Sequence, residues 1–460
     1  MPPTTSNRSG PRPNRPAPGG PITNGTIPNL LRSSRGPIEQ TQLKNTSLAR
    51  NVLWLYALQG LNYTAPLILL PYLVRVLGAE RYGLLVLSQS VAQYFVIATD
   101  YGFNFSATRS IATNRHDGMA ISRIFWTVIS IKAVLVLIGA IAISTLATSV
   151  PRFRPDCSIY LAAYLSVVGS ALFPQWLFQG MESMRSISII SGLAKIGACI
   201  LVLLFVHRPE DTIRAALLMS GGQLASGMVG AAVGVRRYIG WITIPDWAGL
   251  LTTLRNGGHL FLTTASISVF TNTNTLLVGL IAGNAQAGYF SLADKLIRAT
   301  TGSLIGPVLQ AAYPHTIRLI SQSKRDALRF LRRVVGYGGS AAMLAGAAIF
   351  LLAGPIARAA FGGDAPRVVL LIECSAMFPL LATMNGVLGN LVLIPFGCDR
   401  PQSQLLLGAT VLNAALGSIL ILAAGAIGGV ITMIVVELAL VAGNLLILLR
   451  RRINLLQGQA

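Results

Sequence analysis

The sequence predicts an all-α integral membrane protein of about twelve transmembrane helices in two six-helix bundles, and three observations predict it. Of its 460 residues 53% are apolar and only 11% are charged, too few to cover a water-facing surface, so the main solvent is lipid. Apolar stretches recur from Asn51 to Leu449, each near the roughly 20 residues that a helix needs to cross a hydrocarbon core of about 30 Å. Within lipid every backbone N–H and C=O must be satisfied internally, which for runs of this length means helices.

The elements follow in order. Residues 1–43 are rich in Pro, Gly, Ser, Asn and Arg and hold no apolar run, so they are expected to be a disordered, basic cytoplasmic tail. No apolar core precedes Leu53, so a signal peptide is not expected and the first span is retained. Spans are read at about 51–73, 82–105, 124–147, 158–179, 187–206, 212–234, 259–282, 288–312, 334–354, 368–392, 404–424 and 428–449. The basic segment 236–258, with Trp241, Pro245, Asp246 and Trp247, separates a first half (44–235) from a second (259–460). Equal halves point to an internal duplication. Gly78-AERY-Gly83 and Gly283-NAQA-Gly288 occupy corresponding helix turns, and Phe178-Gln-Gly180-Met-Glu182 echoes Phe396-Gly397-Cys-Asp399.

The formal net charge of +21 resembles a nucleic-acid footprint, but its placement argues against one. With the N-terminus in the cytoplasm, 24 of the 36 Lys and Arg residues fall on that side, 8 on the other and 4 inside spans. The positive-inside rule then places both termini in the cytoplasm.

A charge at a helix centre costs roughly 2.5–3.5 kcal/mol, so each intramembrane charge needs a partner or a watered cavity. Asp294 and Arg298 share a helical face, while Lys295 points about 100° away. One cation can be paired and the other must find something else. Arg298, Lys295, Lys132 and Lys195 are therefore the candidate cavity cations, with snorkelling to the interface open for Lys132 and Lys195. Asp294, Glu437 and Asp100 are the candidate ion-coupling acids. Asn272 and Asn274 in the Thr-rich seventh span, and Gln59 and Asn62 in the first, are expected to line a polar interior, although interhelical hydrogen bonding is the ordinary use of such residues. Pro66 and Pro71 are expected to bend the first span.

No phosphate-binding GxxxxGK[ST] loop, HExxH motif or Ser/His/Asp cluster is present, and the four cysteines and four histidines are scattered. The chain is thus expected to be no enzyme, with neither cofactor nor metal. External connections are short, and their acids Asp156, Glu210, Asp211 and Asp364 sit beside arginines.

At VRVLGAERYGLLVLSQSVAQYFVIATDYGFNFSATRSIA (Val74 to Ala112) and FPQWLFQGMESMR (Phe173 to Arg185) the sequence resembles the polysaccharide transporter family. These are bacterial flippases for lipid-linked oligosaccharides, related to the multidrug and toxin extrusion proteins. The resemblance implies a V-shaped bundle with a central cavity that opens alternately to either side of the inner membrane. It implies a polyprenyl-pyrophosphate oligosaccharide as substrate, on the way to O-antigen, capsule or exopolysaccharide. Its head would be met by Arg298, Lys295, Lys132 or Lys195, and H+ or Na+ would be the coupling ion. Membrane lipid and other polysaccharide assembly proteins are the further partners to expect. An inside-negative potential would drive each negative charge outward with about 2.3 kcal/mol per 100 mV. The rival readings are a small-cation drug exporter, which wants unpaired acids in its cavity, and a membrane scaffold docked through its basic tail. Deleting residues 2–42 separates the last of these: polysaccharide export is expected to survive the deletion, and its loss with normal membrane insertion would favour the scaffold.

Overall fold

The computed structural model describes residues 37–451 and Ile453, with side chains described from Gly60 onward apart from a few in the two helices of 247–322. Residues 1–36, which make up most of the expected tail, and the side chain of Gln59 lie outside the described residues. The helical bundle lies in the unit 49–460.

Thirteen α-helices account for the described chain: α1 (Pro37–Asp100), α2 (Phe103–Thr113), α3 (Gly118–Ser149), α4 (Cys157–Leu172), α5 (Gln175–Gly180), α6 (Met184–Phe205), α7 (Thr212–Tyr238), α8 (Trp247–Leu277), α9 (Asn284–Gln322), α10 (Lys324–Phe361), α11 (Ala365–Ser375), α12 (Phe378–Gly386) and α13 (Asp399–Arg450). Two π-helical stretches, Val278–Ala282 after α8 and Val387–Leu393 after α12, and three 3-10 turns, Arg154–Asp156, Pro209–Asp211 and Gly362–Asp364, complete the set among the described residues. α1 breaks at Gly78 (φ 77°, ψ 164°) and α13 at Gly425 (φ 58°, ψ −135°), conformations open to glycine for want of a Cβ. With these breaks, with α2 continuing α1, α5 continuing α4, and α11 and α12 joined to the second π stretch, the described chain runs as twelve helical passes, consistent with the expected number.

Helices overrun the expected spans, because a helix does not stop where the hydrocarbon does. α3 has 32 residues, about 48 Å at 1.5 Å per residue, and the non-helical part of the expected 236–258 linker shrinks to 239–246. Residues 37–43 of the expected tail are already helical. Backbone dihedrals stay helical through Pro66 and Pro71, and the break comes at Gly78 instead. Each proline removes one i→i−4 bond, which a long membrane helix tolerates, whereas a left-handed φ ends the helix outright. The two echoing segments also differ: Gly397 takes a positive φ (76°), whereas in the matching turn the positive φ falls on Glu182 (56°) and not on Gly180. There Arg115 holds both the Gly180 carbonyl (2.7 Å) and the Glu182 carboxylate (2.8 Å).

Among the described residues, seven helical stretches are long and apolar enough to cross a membrane by length and composition. α9 is not among them and α8 contributes only the shorter apolar stretch Ser268–Ala282. Both carry polar and charged residues that belong against protein rather than lipid.

Burial is distributed unevenly along the bundle axis. One contiguous core joins the ends of the helices around Gly78 and Gly283, running through Leu70, Leu77, Leu85, Tyr160, Val206, Phe290, Ala353, Val368 and Val430. Towards the opposite end the core divides. Phe103, Phe125 and Trp176 form one cluster, with Leu250 and Leu254 packed at its edge, and Leu331, Leu388, Leu391 and Leu448 form another.

Within this core the two halves also meet backbone to backbone. A Cβ on Gly83 would overlap the carbonyl of Asn284, and one on Gly288 would lie 2.8 Å from the carbonyl oxygen of Ala79. The two glycine turns thus lie face to face, each on the other's backbone. Glu80 accepts from the Ala285 amide (3.0 Å), Gln286 accepts from the Ala426 amide (3.2 Å), and the Arg75 and Arg152 guanidiniums donate to the carbonyls of Ala359 (2.6 Å) and Gly279 (2.5 Å). Gly83→Ala and Gly288→Ala are therefore expected to push this seam apart. Pulsed EPR between spin labels at Arg81 and Arg358 should show a longer-distance population in either variant, and an unchanged distribution would contradict the seam.

Candidate functional site

Each intramembrane cation has found a different answer. Lys132 on α3, 2% exposed, donates to the Asp100 carboxylate at the end of α1 (2.8 Å), and Asn104 on α2 donates to the other carboxylate oxygen (2.7 Å). The expected snorkelling of Lys132 is not what its side chain does: its partner lies inside the bundle, 32 positions back in sequence. Lys195 on α6 donates to the Oδ1 of Asn62 on α1 (2.8 Å).

On α9 the charged triplet divides as its spacing requires. Arg298 Nε donates to both Asp294 oxygens at 2.8 Å, and one Nη2 hydrogen goes to the carbonyl of Thr271 on α8. Both Nη1 hydrogens and the second on Nη2 are left without a partner among the described hydrogen bonds. Asp294 is buried while the Arg298 side chain stays about one third exposed, at 34%. Lys295, on the neighbouring face, donates to the hydroxyl of Tyr82 (2.8 Å) with its ammonium 5.3 Å from the centre of that ring. Ser291 donates to the same hydroxyl at 3.3 Å.

Arg298 lies where helices from either end of the chain meet. One turn further along α9, a Cβ on Gly302 would collide with the Tyr63 hydroxyl of α1, and Arg298 is within electrostatic reach of Tyr63 and Glu437. Glu437 on α13 is 5% exposed and accepts from Asn385 Nδ2 on α12 (2.8 Å), whose Oδ1 accepts from Asn444 (3.0 Å). The Asn444 and Gln402 side-chain oxygens are buried without a partner.

The expected polar lining is less uniform. Asn272 bonds its own helix, at the Ser268 carbonyl (2.7 Å). Asn274, 4% exposed, donates to Asn413 (3.2 Å) between α8 and α13. Thr273 and Tyr94 share a hydrogen bond (2.9 Å) between α8 and α1. Thr263 and Thr264 have side chains outside the described residues. Tyr82, Asn385 and Asn444 were not among the sequence candidates, since single neutral polar residues in a helix carry no spacing signal.

Two cavities of about 320 Å³ open between helices from the two ends of the chain. One is polar, with Gln93, Asp100 and Asn104 from α1 and α2 facing Ser268 on α8. The other is apolar, between Ile131, Val134, Leu135 and Ile138 of α3 and Leu250, Leu251 and Leu254 of α8. The Lys132–Asp100 pair sits beside both. Three of the four acids of the short turns are paired with arginines: Asp156 with Arg81 (3.4 Å), Asp211 with Arg214 (2.8 Å) and Asp364 with Arg367 (3.7 Å). In addition, the backbone amides of His207 and Arg208 hold the Asp211 carboxyl below its ordinary range.

The fold of the bundle is shared with solved membrane proteins. An inward-facing multidrug transporter of the MATE family, in the MOP superfamily, superposes with a TM-score of 0.66 at 16% identity over 89% of this chain and 100% of its own. The lipid II flippase MurJ in an inward closed conformation gives 0.65 at 12% identity over 87% of each chain. The family model "Polysaccharide biosynthesis protein" matches residues 48–320, more than half of the sequence, and the chain belongs to that family. A protein of Escherichia coli (strain K12) described as "Putative O-antigen transporter" is 29% identical over 398 residues, covering 85% of this chain and 94% of its own. Another of that description from Shigella dysenteriae is 25% identical over 397 residues, covering 86% and 98%.

The burial of Lys132 fixes what its loss of a partner should do. Asp100→Ala strands an ammonium inside the bundle and is expected to destabilise the protein by about 3–5 kcal/mol, while Asp100→Asn combined with Lys132→Met should recover most of the loss. Thermal unfolding in detergent checks this, and a double variant no more stable than the single one would show that the pair is not what is being lost.

Proposed function

We propose that this chain flips polyprenyl-diphosphate-linked oligosaccharide repeat units from the cytoplasmic to the outer leaflet of the inner membrane, for cell-surface polysaccharide synthesis. The observation that carries the reading is the single core at the Gly78/Gly283 end set against the divided cores at the other. With the basic loops on the cytoplasmic side, this is a bundle closed to the outside and parted towards the cytoplasm, where the substrate is made. Family membership and relatives described as O-antigen transporters support the cargo class.

Arg298 is the group that meets the diphosphate. Asp294 aims its guanidinium, and the open Nη1 and Nη2 hydrogens point a planar donor set at an anion, the geometry in which arginine binds phosphate. Glu437, within electrostatic reach of Arg298, opposes an arriving anion until it takes up a proton. Proton uptake and head-group binding are thereby linked through one guanidinium. Lys295 transmits the event: drawn towards the same anion, it leaves the hydroxyl of Tyr82, which lies four residues beyond the Gly78 break, and loosens the seam. Sugars occupy the polar space near Asp100, Asn104 and Gln93, while the apolar cavity between α3 and α8 offers the isoprenoid a path that stays in lipid-like surroundings. A small-cation exporter is the second reading, favoured by the Asp100 carboxylate in the polar cavity. The ammonium of Lys132 already neutralises that carboxylate.

Translocation of a labelled polyprenyl-diphosphate oligosaccharide into proteoliposomes tests the reading. Arg298→Ala is expected to slow flipping by roughly 30-fold or more, the size of losing one partner of a buried charge pair. Glu437→Gln should keep binding and lose the pH dependence of transport. Equal flipping by wild type and Arg298→Ala would remove Arg298 from the substrate site, and no flipping by folded wild type would remove the function.

A further inference from the structure

Among α1, α6 and α7 lies a third cavity, of about 120 Å³, apart from the two that open between helices from the two ends of the chain. Lys195 projects into it from α6. Its ammonium carries three donors, of which one goes to the neutral Oδ1 of Asn62 at 2.8 Å, and no Asp or Glu is among the lining residues. Lys132 and Arg298 each have a carboxylate and Lys295 has a phenol and its ring. Lys195 has the Asn62 amide, with the Cys199 thiol within electrostatic reach, and no carboxylate among the described residues. An uncompensated cation at this depth costs a few kcal/mol, and nothing in the lining supplies the missing negative charge.

The lining does supply donors. Ser226 on α7, 3% exposed, has its hydroxyl buried with no hydrogen-bond partner. Ser191 and Gln223 line the same space and no hydrogen bond from either side chain is described. A buried hydroxyl without a partner is itself a cost of roughly 1–3 kcal/mol. A cation, two hydroxyls and two amides around one space form a donor-rich pocket that is short of an acceptor. Its volume holds a small ion with a few waters, at about 10–15 Å³ for the first water, and has no room for a saccharide.

We propose that this pocket is a binding site for a small monovalent inorganic anion, chloride in the cell, held by Lys195 with Ser226 and the Asn62 amide. The anion neutralises Lys195 and ties α1 to α6 and α7 independently of the substrate. This assigns Lys195 to a structural anion site, apart from the diphosphate-binding cations.

The test is thermal unfolding of the full chain in lipid nanodiscs, titrated with sodium chloride against sodium gluconate at constant ionic strength. Wild type is expected to show a saturable rise in Tm, about 3 °C at ~100-fold excess over Kd. Lys195→Met and Ser226→Val should each abolish the rise. Lys195→Met should still fold, with a Tm in gluconate equal to or above that of wild type, because an apolar side chain commonly replaces an uncompensated buried charge without loss. A single bromide bound at Lys195 in crystals grown in sodium bromide would support the site without any variant. No chloride response in wild type, or an equal response in Lys195→Met, would overturn the proposal. So would a Lys195-dependent response to inorganic pyrophosphate with none to chloride, which would return the pocket to the diphosphate-binding site.

Discussion

Arg298 bound to Asp294 is the interaction on which the rest of the site depends, because a guanidinium cannot be neutralised by losing its proton and must be answered in place. Its carboxylate lies one turn earlier on the same helix, so the pair forms as α9 forms, and the Thr271 carbonyl then fixes its position against α8. Paired in this way, the arginine tolerates the hydrocarbon depth while keeping donors for a ligand. Lys132 shows the contrasting case. Buried at 2% against Asp100, its pairing links α3 to the end of α1, and its burial leaves little access for a substrate. The degree to which each cation is already answered thus separates those that hold the bundle from those with capacity left to bind.

The seam at the other end obeys a different constraint. Large interlocking side chains would make separation costly, since packed cores lose dispersion and apolar burial together when parted. Gly83 and Gly288 instead bring two backbones into contact with little side chain between them, and the surrounding bonds from Arg75, Arg152, Glu80 and Gln286 all end on backbone groups. Bonds of this kind exchange for water with small net change. On the proposed function, this glycine contact is the part of the closed end that has least side chain to separate.

Those two features differ in how plainly the sequence shows them. Asp294 and Arg298 are four residues apart and announce their pairing, and the Gly78 and Gly283 turns stand out as matched Gly-x4-Gly segments between apolar runs. The partner of Lys132 could not be read, because Asp100 lies on a different helix and only tertiary packing brings them together. Lys295 finding Tyr82, at a separation of 213 residues, is the same problem enlarged. Asn385 and Asn444 escaped notice because an isolated asparagine in an apolar helix looks like any interhelical hydrogen-bonder. Prolines misled in the opposite direction: Pro66 and Pro71 are loud in sequence, yet the helix absorbs both and breaks at a glycine that clears the way for a left-handed φ.

Charge balance connects these parts. With Lys195 set aside in its own pocket, the cations deep in the bundle are Lys132, Lys295 and Arg298, and the acids within reach of them are Asp100, Asp294 and Glu437. Three against three leaves the empty site near neutrality, which is the state that a low-dielectric interior favours. Under the proposed function an anionic head group entering that site would break the balance, and the cheapest correction would be a proton on Glu437, whose oxygen is held by the neutral amide of Asn385 and, among the described residues, by no cation within ion-pair distance. Asp100 and Asp294 are each held at 2.8 Å by a buried or fixed cation and are poor places to add one. On the proposed function, a site that is neutral when empty would have to take up positive charge as it loads an anion, and Glu437 is where that charge would cost least.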